Sequence, residues 1–312
     1  MSQGESRQNG QERGLRETQR PADQRAHTTE APPVWTHARL PLSINQTTTR
    51  RWTLYEDAVN LPLLGVEAIG LWRPKLPDSG DGEAVRVLEQ VGLKVSSLSW
   101  AGGFTGANGY GQREAIEDAK EAIAQAQRLR AGCLVIVTGP RNLHTRKHAM
   151  DLVVESLQEL VGVADEHGVT LALKPMQPFY APRWTFLHTL DQTLEVLARV
   201  AHPALKIAFS SYHLWTEPKL VERLRELAPL VAVAQLSDWP HPPRNDADQC
   251  LVGQGRVPTA EIIDALLSGG YDGYFELEVW SRRLWQGDCF EQVRRCLQHL
   301  RALPLPSRHA TV

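Results

Sequence analysis

Val169-Thr170-Leu171-Ala172-Leu173-Lys174-Pro175 is a short apolar run that opens after Glu166-His167-Gly168 and stops at a proline. A glycine behind a helical pattern supplies the left-handed cap that ends the helix. Six residues bounded by Gly and Pro suit a buried strand better than another helix. The same unit recurs in both directions. Upstream, strands are predicted at 38–44, 66–71, 93–98 and 133–137, and downstream at 205–209, 231–236 and 274–279. Helical patterns fill the gaps at 52–64, 83–91, 112–129, 144–167, 190–200, 218–227, 259–267 and 290–300. Strands alternating with helices predict a parallel sheet covered by helices. Eight βα units predict a single (β/α)₈ barrel over residues 34–305. A doubly wound open sheet is the alternative, weakened because the first βα turn lacks a dinucleotide fingerprint.

The rest of the chain bounds the function. Of 312 residues, 42% are hydrophobic and 22% charged, enough to bury a sizeable core, and the net charge of −2 gives no basic excess for nucleic acid or anionic membrane. No apolar run reaches the ~20 residues of a membrane span. Residues 1–33 are polar, without the apolar segment of a secretory signal, and predict a disordered tail; 306–312 form a second tail. A cytoplasmic location follows by default. Cys133, Cys250, Cys289 and Cys296 are far apart in sequence and predict incidental thiols, neither a zinc knuckle nor a disulfide framework. Nothing fixes or forbids an oligomer.

In such barrels the chemistry sits at the C-terminal strand ends. Here these ends are polar and aromatic: Trp72-Arg73-Pro74-Lys75, Ser99-Trp100, Ser210-Ser211-Tyr212-His213-Leu214-Trp215, Gln235-Leu236-Ser237-Asp238-Trp239-Pro240 and Glu276-Leu277-Glu278-Val279-Trp280. Together with the Gly253-x-Gly255-x-Val257-Pro258 loop and Gly269-Gly270-Tyr271-Asp272-Gly273-Tyr274, they resemble the xylose-isomerase-like barrel family of sugar (phosphate) isomerases and epimerases. The resemblance covers about residues 52–300. It implies one divalent metal held by a Glu after strand five, an Asp after strand six, a His on strand seven and a Glu on strand eight, with the two glutamates exchanging a proton beside the substrate carbonyl. Those positions fall on Lys174, Ser210, Gln235 and Glu278, so only Glu278 keeps its type.

A lysine ammonium has no lone pair and repels a cation, and Ser and Gln are weak neutral donors, so no metal or other cofactor is expected. Strand alternation puts Glu276 and Glu278 on one face, and Ala172 and Lys174 on another, both facing the barrel interior. A buried carboxylate without its metal needs a counter-charge, and Lys174 is expected to pair with Glu278. The resulting expectation is a carbohydrate- or polyol-binding protein without the usual metal-dependent proton transfer. One alternative is a metal-free isomerase or epimerase using Glu278, Lys174 and His213. Another is a Schiff base on Lys174, which a close Glu278 opposes.

Trp72, Trp100, Trp215, His213, Gln235 and Asp238 are the expected substrate contacts. Against this, the tryptophans can simply close the top of the core, His213 can be loop packing, and Asp238 can orient a neighbouring loop. Arg73 and Lys75 could meet a phosphate or be solvated, and His188 could be a mouth residue or stand at a helix start. Gln249 occupies a position where relatives carry an arginine. Arg141, His144 and His148 read as exposed charges.

Overall fold

The computed structural model describes residues 40–77, 80–106 and 109–304; both expected tails lie outside them. Strands β1 (Leu42–Asn45), β2 (Ala68–Trp72), β3 (Lys94–Gly102), β4 (Leu134–Val137), β5 (Leu171–Leu173), β6 (Leu205–Ser210), β7 (Val231–Leu236) and β8 (Phe275–Leu277) pair in sequence order. Parallel β1–β8 pairing closes the barrel. Around it run α1 (Leu54–Leu63), α2 (Asp81–Val91), α3 (Gln112–Arg128), α4 (Arg146–Glu166), α5 (Leu190–Val200), α6 (Ser211–Leu214), α7 (Leu220–Leu227), α8 (Thr259–Ser268), α9 (Arg282–Gln286) and α10 (Cys289–Arg301).

Local signals set the helix ends. Thr53 and Glu56 form a capping box on α1, and the Asp288 carboxylate accepts from the Glu291 amide at the start of α10. Gly168 follows α4 with φ 65°, so the chain turns directly into β5. Outward-facing Ile69, Leu71, Leu98, Ile136, Leu171, Leu173, Phe209, Phe275 and Leu277 are buried beneath the helices. The barrel interior has two unlike sectors. Cys133, Val135, Ala172, Ala208 and Val233 form an apolar half. Ser43, Asn45, Ser96, Ser97, Gln235 and Glu276, all buried, form a polar half.

The differences from the sequence reading are local. β3 runs on to Gly102 rather than stopping at residue 98, because its far end still pairs with Ile136 and Val137 of β4. β5 and β8 are shorter than expected, which leaves Lys174 and Glu278 one residue beyond their strands. The short helices α6 and α9 were not expected. Each spans too few residues for a helical period to show.

Candidate functional site

Lys174 and Glu278 meet at the C-terminal end of the barrel. Each is held by its backbone as a continuation of the sheet: Lys174 N donates to Ile136 O at 2.9 Å and Glu278 N to Leu236 O at 3.1 Å. The Lys174 Nζ lies 2.9 Å from both carboxylate oxygens of Glu278. Both residues are only 4% exposed, and Trp280 Nε1 adds a bond to Glu278 Oε1 at 3.2 Å. In this setting a charge without a partner is costly, and two charges answering each other are tolerated.

Two residues earlier on β8, Glu276 lies one layer deeper and is fully buried. Asn45 Nδ2 and Gln235 Nε2 each donate to its Oε1 at 2.9 Å. Ser96 Oγ and Ser97 Oγ donate to its Oε2 at 2.6 and 2.7 Å. Ser43 Oγ is 2.6 Å from Ser96 Oγ and extends the network to β1. Room for the carboxylate depends on Gly70 of β2, where any Cβ would overlap Glu276 and Asn45.

Ser210, Gln235 and Glu276 are consecutive neighbours in register across β6, β7 and β8. Ser210 Oγ, Gln235 Oε1 and the His213 Nδ1 on α6 are buried with no hydrogen-bond partner among the described residues. His213 packs edge-on to Tyr180, ring centroids 4.8 Å apart, and to Tyr212. Burial, and then the nearby Lys174 charge, push its pKa well below 6.5, so the imidazole is neutral. Below about pH 6.5 the unfolded chain therefore takes up a proton that the folded chain refuses, and stability falls as pH falls. Replacing His213 by Asn is expected to flatten that fall by up to about 1.4 kcal/mol per pH unit. Urea unfolding at about pH 7.5 and about pH 5.5 reads it, and equal slopes in both proteins would refute it.

Above the ion pair opens a narrow cleft. Trp100, Trp184, Trp280, Tyr180 and Met176 wall it, and Ser99, Lys174, His213, Asp246, Gln249 and Glu278 supply its polar groups. Trp184 meets Trp100 edge-on with centroids 4.8 Å apart, and Trp280 lies 6.0 Å from Trp100 and 6.3 Å from Trp184. Flat apolar walls over a small number of placed polar groups suit a small ligand with a CH-bearing face.

Of the residues singled out in the sequence, Lys174, Glu278, His213, Trp100, Gln249 and Trp280 line this cleft. Trp72 stands behind it, against Trp100 and Trp280. Trp215 and Trp239 pack on each other away from it, with centroids 5.0 Å apart. Gln235 lies beneath it, bound to Glu276. Asp238 is an anchor for its own loop rather than a cleft residue. Its carboxylate accepts from the amides of Gly253, Gly255, Val257 and Trp239 at 2.8–3.0 Å.

Arg73 and Lys75, open in sequence to a phosphate or to solvent, are engaged within the fold. Arg73 forms a two-pronged pair with Asp118, and Lys75 meets the buried Asp57 at 3.2 Å and Thr49 O at 3.0 Å. His188 Nδ1 is 3.0 Å from Met176 O and ties down the loop after β5. His144 and His148 meet edge-on at the start of α4, and His144 Nε2 is 3.2 Å from Thr105 O. The four cysteines are free thiols.

Trp184, Tyr180 and Met176 also line the cleft without being marked by any motif in the sequence. They belong to the loop that follows Lys174, and a run of large apolar side chains there is a signal that they fold over the strand end.

Fold and site define a (β/α)₈ barrel with a polar floor at its C-terminal mouth. The model of the xylose isomerase-like TIM barrel family matches residues 57–303, and the chain belongs to that family. It is 25% identical over 201 residues to the fructoselysine 3-epimerase of Shigella flexneri, covering 62% of this chain and 67% of the relative. The Escherichia coli O157:H7 protein of the same name matches equally, with 68% of its length covered. A solved protein of Sinorhizobium meliloti 1021 superposes with TM-score 0.79 at 28% identity, over 85% of this chain and 99% of that one. D-Psicose 3-epimerase of Clostridium cellulolyticum H10, solved with D-tagatose, shares the fold with TM-score 0.68 at 16% identity, over 85% and 99%. No described helix is long and apolar enough to cross a membrane.

Proposed function

We propose that this chain is a metal-free member of its family that binds a small polyol or carbohydrate-like molecule in the tryptophan-walled cleft, without the metal-dependent proton transfer of its relatives. The observation that carries the reading is the pair of 2.9 Å contacts from Lys174 Nζ to Glu278. The ammonium supplies the positive charge that Glu278 requires, and a second cation there would be repelled by it. The remaining donors do not fit a divalent ion either. Ser210 and Gln235 are neutral, and no cluster of three or more His, Cys, Asp or Glu side chains suited to a metal exists among the described residues. With lysine in place of the first glutamate, proton exchange between two carboxylates loses one of its partners. A Schiff base on Lys174 is opposed by the same geometry, since its nitrogen is committed to two carboxylate oxygens. The sugar epimerases among the relatives, and the indole walls, support a ligand with a CH face.

Metal analysis of the purified protein tests the reading. The wild type is expected to carry no stoichiometric Mn, Co or Zn after dialysis, whereas Lys174→Glu combined with Ser210→Asp and Gln235→His is expected to bind one Co²⁺ with visible absorption. Stoichiometric metal in the wild type that is lost in Glu278→Gln would sink the proposal. A thermal-shift screen of sugars and polyols, repeated with Trp184→Ala, tests the cleft itself.

A further inference from the structure

Beside the cleft, Arg50, Arg51 and Arg282 surround a shallow, open depression floored by Trp285. The Arg50 guanidinium lies over the Trp285 ring, 4.8 Å from its centroid, and 5.7 Å from that of Trp72. Stacking occupies the face of a guanidinium and leaves its in-plane N–H fork free. Arg51 donates from Nη1 to Trp285 O at 3.1 Å and keeps its other donors. Trp285 is itself fixed, its Nε1 bonded to Thr47 O at 2.9 Å. None of the three arginines has a carboxylate partner among the described residues, whereas Arg73, Arg128 and Arg223 elsewhere in the chain each have one. Three cations gathered without an anion repel one another, and a tetrahedral dianion would relieve that repulsion through charge-assisted bonds. The depression is one indole from the ligand cleft, because Trp285 meets Trp280 edge-on at 6.0 Å.

We propose that this rim is a binding subsite for a phosphate-type dianion, received as the phosphate ester of a small molecule or as free phosphate. The site stands without the metal-free reading of the floor, and its test is independent of Lys174.

Titration of the full chain with inorganic phosphate at low ionic strength, followed by calorimetry, is expected to show saturable binding. Arg50→Gln and Arg282→Gln should each weaken it at least about tenfold, the loss of one charge-assisted contact. Arg86→Gln, an exposed guanidinium on α2, should leave it unchanged. A small phosphate ester that binds more tightly than phosphate marks the ester as the ligand, and equal affinities mark the free ion. Absence of saturable binding, equal binding in all three variants, or binding confined to a single-stranded oligonucleotide would overturn the proposal.

Discussion

Glu278→Gln is expected to cost about 3–5 kcal/mol of stability, because it leaves the Lys174 ammonium buried beside a neutral partner. Lys174→Met is expected to cost a similar amount, leaving a carboxylate whose remaining side-chain contact is the indole N–H of Trp280. The double variant Lys174→Met with Glu278→Gln contains no stranded charge and should recover most of the loss. A coupling of at least about 2 kcal/mol between the two sites follows. Urea unfolding of the four proteins measures it. Additive losses would mean that the ammonium does not neutralise the carboxylate, and the case against a metal would lose its main support.

Glu276→Ala should be the most damaging single change in the barrel interior. It removes the acceptor for four buried donors, on Asn45, Ser96, Ser97 and Gln235. At about 1–3 kcal/mol for each donor left unsatisfied, a loss above about 4 kcal/mol is expected even if some rearrange. Glu276→Gln keeps the volume but turns an amide N–H₂ toward two of these donors, so its cost should be smaller and still exceed about 1 kcal/mol. If both variants unfold at wild-type urea concentrations, the polar half of the barrel does not depend on this carboxylate.

How much of this was legible in the chain depended on how rigid each rule is. The alternation of strand and helix periods specifies eight strands in the right order, and the two-residue period of β8 alone puts Glu276 and Glu278 on the interior face. Lys174 followed from the same parity on β5. Beyond the strand ends that rule stops. Trp100 on β3 and Trp215 after β6 look equivalent in sequence, yet one walls the cleft and the other packs on Trp239. Asp238 could be read as a ligand contact because its backbone partners lie 15 to 19 residues on in sequence, and only the folded loop brings their amides to it. Trp184 and Tyr180 reach the cleft through a loop whose course is set by Met176, His188 and Gly139, not by any local pattern.

Gly70 gives the interior a history that can be reasoned about. With no Cβ on β2, the Glu276 carboxylate fits against Asn45; with one, it does not. The two positions cannot drift separately, since a side chain at 70 first requires that residue 276 shorten, and a shortened residue 276 leaves four donors in search of an acceptor. The cleft walls and rim lie outside this constraint, so a new ligand preference can arise there without disturbing the Gly70–Glu276 contact.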